Sequence, residues 1–257
     1  MVIISLGAIY DAVKKATVAI VAAHSDRLPQ RPFDIVGSGF CVHSSGVIVT
    51  CKHVFEAFVP TTRRVTGSTN QLSVTAIPHV LFYGGVHGTE IHMHPVTIVC
   101  AGMENGFDLA VLKLSSHPAF PQGYPTLQVA DYGEVHEMMD VATCGYPLGS
   151  VLQEQLGTIT SSFTKGTISS IIPAQGIGRE HLRGFQLDLT ATNGNSGGPV
   201  FSLATGQVFG ALQGGAVHPQ TGHAVHGLAK AEPIYPLFDS GLINKLMRGP
   251  QVPGVCL

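Results

Sequence analysis

Residues 192–199 have the sequence TNGNSGGP and place a single serine, Ser196, among glycines. Glycine weakens the interior of a helix or a strand, so this run predicts a sharp turn instead of a regular element. Glycines also reach positive φ without steric penalty and allow a second backbone to approach closely. The run therefore indicates an exposed serine hydroxyl flanked by backbone N–H groups, which is the arrangement that acyl transfer requires. On these residues alone, a glycine-rich hairpin turn with an incidental serine is a second interpretation.

An acyl-transfer site also needs N–H donors directed at the carbonyl oxygen that becomes negatively charged. We expect the backbone N–H groups of Gly194 and Ser196 to be these donors, with Asn195 between them as part of the predicted oxyanion hole. Residues 197–199 then lead the chain into a following strand.

Two other segments contain a candidate base and a candidate acid for Ser196. Residues 47–55 (VIVTCKHVF) predict a β-branched strand that ends at His53, the candidate general base. Residues 105–114 (NGFDLAVLKL) predict an Asn-Gly turn followed by a buried strand, with Asp108 at its first position as the residue that orients the histidine. Either residue taken singly is more often a hydrogen-bonded structural residue, but the three together favour a catalytic set.

The order His53, Asp108, Ser196 is that of the chymotrypsin-type double barrel. Gly194, Ser196 and Gly198 also match the nucleophile elbow of α/β-hydrolases, in which the acid and the histidine follow the serine in that order. The sequence lacks the alternating helices of that fold, and the late acid Asp239 follows all of the late histidines, which are His218, His223 and His226. The order therefore favours two β-barrels.

Seven segments in the same order along the chain resemble the trypsin-like serine peptidases, and most closely their HtrA (Do-like) branch. They cover roughly residues 30–240 and comprise residues 37–40 (GSGF), 48–54 (IVTCKHV), 108–113 (DLAVLK), 145–149 (GYPLG), 166–170 (GTISS), 185–188 (FQLD) and 194–199 (GNSGGP). The resemblance implies an all-β, chymotrypsin-like fold of two six-stranded antiparallel β-barrels. It also implies a serine endopeptidase that works through His53, Asp108, Ser196 and an acyl-enzyme intermediate.

The same resemblance implies which residues bind the substrate side chain before the cut: Thr190, Ala191, Thr192, Gln213, Gly214 and Gly215. The position of Thr190 carries no acid, so a buried Arg or Lys there would lack a counter-charge. We therefore expect cleavage after small or uncharged residues. An alternative is that His223 or His226 lines the pocket and receives an acidic or glutamine side chain.

The sequence also departs from the family. Nothing after the last predicted barrel strand resembles the PDZ module of the HtrA branch, so we expect a peptidase domain alone. Asn195 stands where secreted trypsins have an aspartate that pairs with a newly cut N-terminus, so activation by that ion pair is not expected. Two other function classes stay open, which are a non-catalytic protein-binding module and a serine esterase or acyltransferase.

The predicted architecture is a single peptidase domain. The first barrel is expected over residues 17–115, the second over 127–230 and a C-terminal helix over 233–247. Expected strands of the first barrel lie near residues 18–22, 36–42, 46–50, 71–83, 90–100 and 108–114. Helical spacing of apolar residues predicts a short N-terminal helix that packs on the barrels, with a contact in a homo-oligomer as the alternative; these residues are Ile9, Ala12, Val13 and Ala16.

Composition agrees with an ordered globular enzyme, since 44% of the residues are hydrophobic and 12% are charged. A net charge of −2 gives no basic face for phosphates, so the expected partner is a protein or peptide substrate and not nucleic acid or a membrane. No cofactor and no metal are expected. His92 and His94 would face one way on a strand, but no third or fourth ligand is evident.

The five cysteines are odd in number and irregular in spacing, so we interpret them as mostly buried thiols: Cys41, Cys51, Cys100, Cys144 and Cys256. The N-terminal residues 1–9 lack the basic region of a signal peptide, and no apolar run approaches the roughly 20 residues of a membrane span. These features predict a cytoplasmic location.

Overall fold

The computed structural model describes residues 5–24, 33–62, 76–87, 90–147, 158–217, 220–221 and 224–248. Within these residues the strands close into two antiparallel barrels of six strands each. The fold class predicted from the sequence, all-β with two six-stranded antiparallel β-barrels of the chymotrypsin type, is therefore confirmed.

The first barrel is formed by the strands in the order β1-β2-β3-β6-β5-β4. Their bounds are Thr17–His24 (β1), Phe33–His43 (β2), Val47–Thr50 (β3), Ala76–His87 (β4), Glu90–Met103 (β5) and Ala110–Leu114 (β6). Helix α2 (Lys52–Thr62) follows β3. The fourth strand was expected from residue 71, but residues 71–75 lie outside the described part of the chain. Asp108 precedes β6 and is not its first residue, so that detail of the prediction is wrong.

The second barrel is formed by the strands in the order β10-β11-β12-β9-β8-β7. Their bounds are Asp140–Gly145 (β7), Ser162–Ile172 (β8), Gly184–Leu187 (β9), Pro199–Ser202 (β10), Val208–Val217 (β11) and Ala224–Pro233 (β12). The first of these strands begins later than residue 127, where the second barrel was expected. Residues before it connect the barrels, because Leu127 donates its N–H to Cys41 of β2 and Val129 forms a bridge with Val208 of β11.

Apolar side chains fill both barrels and the interface between them. Phe40 and Leu112 are buried in the first barrel, and Phe185 and Phe209 are buried in the second. Second-barrel residues such as Phe201 belong to the same apolar cluster as the first-barrel core. The two barrels therefore share one packed interface, and burial of this apolar surface is the main force that holds them together.

The N-terminal helix α1 (Leu6–Ala16) leads directly into β1. The Ser5 side chain accepts the N–H of Ala8 and so caps its first turn. Three of the four residues chosen for their helical spacing are buried within the chain, namely Ile9, Val13 and Ala16, whereas Ala12 is exposed. The prediction that this helix packs on the barrels is therefore correct, and the inclusion of Ala12 in the packed face is wrong.

The C-terminal segment forms two short helices, α3 (Tyr235–Asp239) and α4 (Leu242–Met247), and not one helix over 233–247 as predicted. Gly241 lies between them with φ of 72°, in the left-handed region that ends a right-handed helix. Both helices still have a buried apolar side, which includes Leu237 and Ile243. Among the described residues, no helix has the length and apolar character needed to cross a membrane.

Replacing Leu112 tests the first-barrel core. The side chain is 1% exposed, so Leu112→Ala removes buried methyl groups and leaves a cavity. We expect the free energy of unfolding to fall by about 2–5 kcal/mol. Urea denaturation measures this change, with Leu6→Ala as the matched control. Leu6 is 49% exposed, and its replacement is expected to change stability by no more than about 0.5 kcal/mol. Equal losses in the two variants would contradict this assignment of the core.

Candidate active site

His53 lies in the first turn of helix α2, and not at the end of a strand as predicted. The first N–H groups of a helix have no acceptor inside the helix. Here Asp108 supplies two acceptors from a distant part of the chain. Its carbonyl oxygen accepts the N–H of Lys52 at 3.2 Å, and its Oδ1 accepts the N–H of His53 at 2.9 Å. These bonds allow a helix to begin directly after β3.

The second carboxylate oxygen of Asp108 holds the His53 side chain. The distance from Asp108 Oδ2 to His53 Nδ1 is 2.6 Å. Burial would raise the pKa of Asp108, but the hydrogen bonds from His53 outweigh this effect and lower it. The ionised carboxylate can only accept, so Nδ1 is the protonated nitrogen of the neutral ring. Nε2 is then left as a base, and it has no partner among the described residues.

Ser196 lies in a compact turn before β10. Asn195 donates its N–H to Thr192 at 3.1 Å, and Gly198 donates its N–H to Asn195 at 2.9 Å. Gly194 and Gly197 have φ of 96° and 84°, which non-glycine residues rarely adopt.

The N–H groups of Gly194 and Ser196 in this turn donate to no acceptor among the described residues. They are the two predicted oxyanion donors. Asn195, which was predicted to lie between them, uses its N–H within the turn and has a buried side chain.

The hydroxyl of Ser196 donates to the carbonyl oxygen of Gln213 at 2.9 Å. No hydrogen bond joins it to His53 among the described residues. The side chain of the same Gln213 donates from Nε2 to Asp108 Oδ2 at 3.1 Å. Gln213 therefore links Ser196 to Asp108. The sequence indicated Gln213 only as a pocket wall, because a contact between residues 105 positions apart leaves no local signal.

Ser38 of β2 anchors the turn from the opposite barrel, a role that the sequence did not reveal. Its N–H donates to the Ser196 carbonyl at 2.8 Å, and its hydroxyl donates to the Gly194 carbonyl at 2.6 Å. The same hydroxyl accepts the N–H of Tyr146 at 2.9 Å. Gly37 allows this approach, because a Cβ there would lie 2.6 Å from Val54 and 3.1 Å from the Ser196 carbonyl oxygen. In the sequence, the signal for this role was a small polar residue, Ser38, directly after Gly37 in a predicted strand.

A cleft of about 420 Å³ lies beside this site on the second barrel. It is lined by Ile172, Gln186, Gln213, Gly214, Gly215, Ala216, Leu228, Ala229 and Lys230. The structure thus brings together half of the predicted pocket residues, but Thr190, Ala191 and Thr192 do not line this cleft. A Cβ on Gly215 would lie 3.0 Å from the Ala191 carbonyl oxygen, so β11 packs directly against that segment and Ala191 is buried.

The alternative pocket residues contribute little to this cleft. His226 is exposed on β12 and does not line it. His218 and His223 lie outside the described residues. Lys230, which the sequence did not single out, is the cation among the lining residues, and none of the lining residues is acidic.

The four cysteines in the described part of the chain are buried thiols outside any disulfide, as predicted: Cys41, Cys51, Cys100 and Cys144. Cys256 lies outside it. Burial raises the pKa of Cys41 and of Cys144 to about 12, so both are protonated at neutral pH and are poor nucleophiles. The cytoplasmic location inferred from reduced cysteines stays a prediction.

Two histidine pairs lie at the end of the first barrel. The ring centres of His92 and His87 are 4.4 Å apart, and those of His94 and His117 are 5.9 Å apart. Among the described residues, the one group of three ligand-type side chains with donor atoms within 4.8 Å of one another is Cys51, His53 and Asp108. His53 and Asp108 already bind each other, and the Cys51 thiol donates to Leu212 at 3.3 Å. This group is therefore part of the hydrogen-bonded site and not a separate ligand set.

Comparison of the sequence with known proteins identifies a family and individual relatives. The family of the "Trypsin-like peptidase domain" matches residues 37–210. A probable periplasmic serine endoprotease DegP-like of Chlamydia pneumoniae is 28% identical over 87% of this chain and 37% of its own length. The serine protease Do-like HtrB of Bacillus subtilis (strain 168) is 31% identical over 65% of this chain and 31% of its own length. The chain therefore spans about a third of the length of these curated relatives.

Solved structures show the same fold. The HtrA-type protease AlgW with tripeptide has a TM-score of 0.60 at 18% identity, covering 94% of this chain and 64% of that chain. AlgW with decapeptide has a TM-score of 0.59 at 18% identity, covering 95% and 67%. Fold, ordered sequence motifs and family match agree, so this chain belongs to the trypsin-like peptidase domain family, within which it is similar to the HtrA (Do-like) serine proteases.

Proposed function

We propose that this chain is a serine endopeptidase in which Ser196 is the nucleophile, His53 the general base and Asp108 the residue that orients it. The observation that carries the proposal is the position of Gln213. Its carbonyl accepts the Ser196 hydroxyl and its side chain donates to Asp108, which in turn holds Nδ1 of His53. Three residues from distant parts of the chain therefore share one corner between the barrels.

The chemistry begins with a rotation of the Ser196 hydroxyl from Gln213 towards Nε2 of His53. A carbonyl oxygen cannot take up the hydroxyl proton at neutral pH, whereas a neutral imidazole can. The serine oxygen attacks the peptide carbonyl as His53 takes its proton, and His53 then gives that proton to the leaving amine. Asp108 stabilises the imidazolium that forms in between. A water molecule repeats the sequence on the acyl-enzyme and releases the acid product.

The N–H groups of Gly194 and Ser196 are the proposed donors to the oxyanion. Both lack an acceptor among the described residues, and Ser38 holds the carbonyls of the same two residues. Because these N–H groups are held in place before the reaction, each one is expected to accelerate the chemical step by a factor of about 10²–10³.

A peptide is the proposed substrate class. The AlgW structures, which share this fold, are of that protease with a tripeptide and with a decapeptide. We further propose cleavage after small or uncharged residues, and the Lys230 ammonium in the adjacent cleft disfavours a cationic substrate side chain there. We propose no nucleic acid partner, because a net charge of −2 gives no basic face for phosphates.

Two other functions are compatible with the fold. A non-catalytic binding module would keep the barrels without the reactive serine. A serine esterase or acyltransferase would keep the reactive serine but act on a different carbonyl. Labelling of Ser196 by a fluorophosphonate is expected of a peptidase and not of a non-catalytic binding module. Digestion of casein is expected of a peptidase and not of an esterase or acyltransferase.

Replacing Ser196 tests the nucleophile. Ser196→Ala removes the only oxygen that can form the acyl-enzyme in this scheme, so we expect loss of fluorophosphonate labelling and a fall in kcat/KM of at least about 10⁴-fold. The matched control is Ser116→Ala, at an exposed serine between the barrels, which should keep wild-type labelling. Labelling of Ser196→Ala, or no labelling of the wild type, would contradict the proposal.

Replacing Asp108 by asparagine tests the orienting role. Asn keeps an oxygen that can accept the His53 N–H, but its NH₂ group opposes Nδ1–H and favours the other tautomer. We expect kcat/KM to fall by about 10⁴-fold while helix α2 is retained. Stopped-flow hydrolysis of a peptide ester and far-UV circular dichroism measure the two effects. An active Asp108→Asn variant would exclude Asp108 as the orienting acid.

The same variant has a pH signature in stability. The folded state lowers the pKa of Asp108, so its ionised form stabilises the protein above the unfolded value of about 4. This contribution is lost as the pH falls through the folded pKa. In Asp108→Asn, the free energy of unfolding should therefore depend less steeply on pH below about 4 than in the wild type. Urea denaturation at a series of acidic pH values measures the slopes, and equal slopes would contradict an ionised Asp108 in the folded protein.

A peptide library tests the proposed specificity. We expect preferred residues before the cut to be small to medium and uncharged, because a desolvated Arg or Lys would lack a counter-charge. Mass spectrometry of the products gives the preference at each position. A strong preference for Arg or Lys would overturn this part of the proposal and leave the peptidase activity itself standing.

A further inference from the structure

The hairpin of β4 and β5 brings three histidines to one face. His92 and His94 are two residues apart on β5, so their side chains point to the same side of the sheet. His87 of β4 is paired with Glu90, which places it diagonally opposite His92 on that same side. The sequence indicated the first two histidines as neighbours, and strand pairing supplies the third.

The rings of His87 and His92 have the spacing of two ligands of one metal ion. Their centres are 4.4 Å apart, with the ring planes at 66°. A zinc-to-nitrogen distance of about 2.0–2.1 Å places each ring centre about 3.2 Å from the ion, so two bound rings at roughly 90–110° have centres about 4.5–5.2 Å apart. The observed separation lies about 0.1 Å below this range, so small side-chain rotations bring the pair to one ion.

His94 is the third ring of the group. A Cβ on Gly84 would lie 2.5 Å from His94 Nε2, so glycine at this position of β4 leaves the space that the ring occupies. Burial, and after it the charges of the neighbouring histidines, lowers the pKa of His94 and favours the neutral imidazole, which is the form that binds metal ions. No three of these rings have donor nitrogens within 4.8 Å of one another in the described conformations, so the third ligand requires rotation of the His94 side chain.

The three rings are available to an ion. His87 and His92 are exposed, and no hydrogen bond joins the ring of either residue or of His94 to another group among the described residues. His117 differs, although its ring centre is 5.9 Å from that of His94. Its Nδ1 accepts the N–H of Ala119 at 3.2 Å, so the neutral ring carries its proton on Nε2. We therefore exclude His117 from the ligands.

A positive charge beside the rings would oppose the binding of a cation. Lys14 Nζ lies 4.2 Å from the centre of the Tyr83 ring of β4. Tyr83 is paired with Met93, whose side chain alternates along β5 with those of His92 and His94. Tyr83 and the ammonium over it therefore belong to the other face of the hairpin.

We propose that His87, His92 and His94 form a binding site for a divalent transition-metal ion such as zinc, with water completing the coordination. Imidazole nitrogen suits zinc, nickel and copper, whereas calcium and magnesium prefer oxygen ligands. The bound ion joins β4 to β5 near the end of their hairpin and so stabilises the folded chain. The inference does not depend on the proposed function, because none of the three ligands belongs to the active site.

Isothermal titration calorimetry with zinc chloride tests the site. We expect the wild type to bind zinc, and His87→Gln, His92→Gln and His94→Gln each to bind it at least about 10-fold more weakly, because glutamine has no imidazole nitrogen. Calcium chloride should give no binding at this site, since the ligands are nitrogens. Absence of zinc binding by the wild type, or equal affinity in the wild type and His92→Gln, would overturn the inference.

Matched controls are His117→Gln and His226→Gln, which remove one imidazole each outside the proposed ligands. Both variants should bind zinc with wild-type affinity, and a loss equal to that of His92→Gln would overturn the ligand assignment. His53 belongs to a second group of ligand-type side chains, so His53→Gln is titrated as well. This variant should keep the measured binding. Loss of binding in His53→Gln would assign the ion to the active site and overturn the inference.

Thermal unfolding provides a second measurement that does not require activity. Zinc should raise the Tm of the wild type, because the ion binds the folded state, and should not raise that of a variant with both His87→Gln and His92→Gln. These two histidines are exposed, so the Tm of the metal-free variant should stay close to that of the wild type. An equal rise in Tm on adding zinc to the two proteins would contradict the proposed site.

Discussion

The site depends on the hydrogen bonds that the carbonyl oxygen and the two carboxylate oxygens of Asp108 accept. Its carbonyl and one carboxylate oxygen accept the first N–H groups of helix α2, and the other carboxylate oxygen holds His53 Nδ1 at 2.6 Å. One residue thus starts the helix and orients the ring on it. Because these hydrogen bonds favour the ionised form more than burial disfavours it, the pKa of Asp108 is lowered and its negative charge is retained beside the His53 ring.

The serine turn belongs to the second barrel but is held by the first. The N–H of Ser38 donates to the Ser196 carbonyl, and its hydroxyl donates to the Gly194 carbonyl. The same hydroxyl accepts the N–H of Tyr146. Ser38 itself is buried, so losing one of these bonds would leave an unpaired polar group, which is costly. The relative position of Ser196 and His53 is therefore set by the barrel interface, since the two residues lie on elements of opposite barrels.

Much of this arrangement was predictable from the sequence. Glycines around Ser196 have the positive φ that only glycine adopts easily, and β-branched runs such as residues 47–50 form strands because they suit a buried, pleated surface. Boundaries were predicted less well. Helix α2 begins directly after β3 because distant acceptors on Asp108 replace a local cap, and Gly241 divides the C-terminal helix although apolar residues continue on both sides.

The sequence by itself determined the all-β class, the serine turn and the family, because these depend on local backbone preference and on an ordered series of motifs. Only the tertiary structure decided which side chains meet. Gln213 bridges Ser196 and Asp108, and Ser38 holds the turn from the opposite barrel. These contacts join residues far apart in the chain, and they form only when strand pairing and barrel packing bring the segments together.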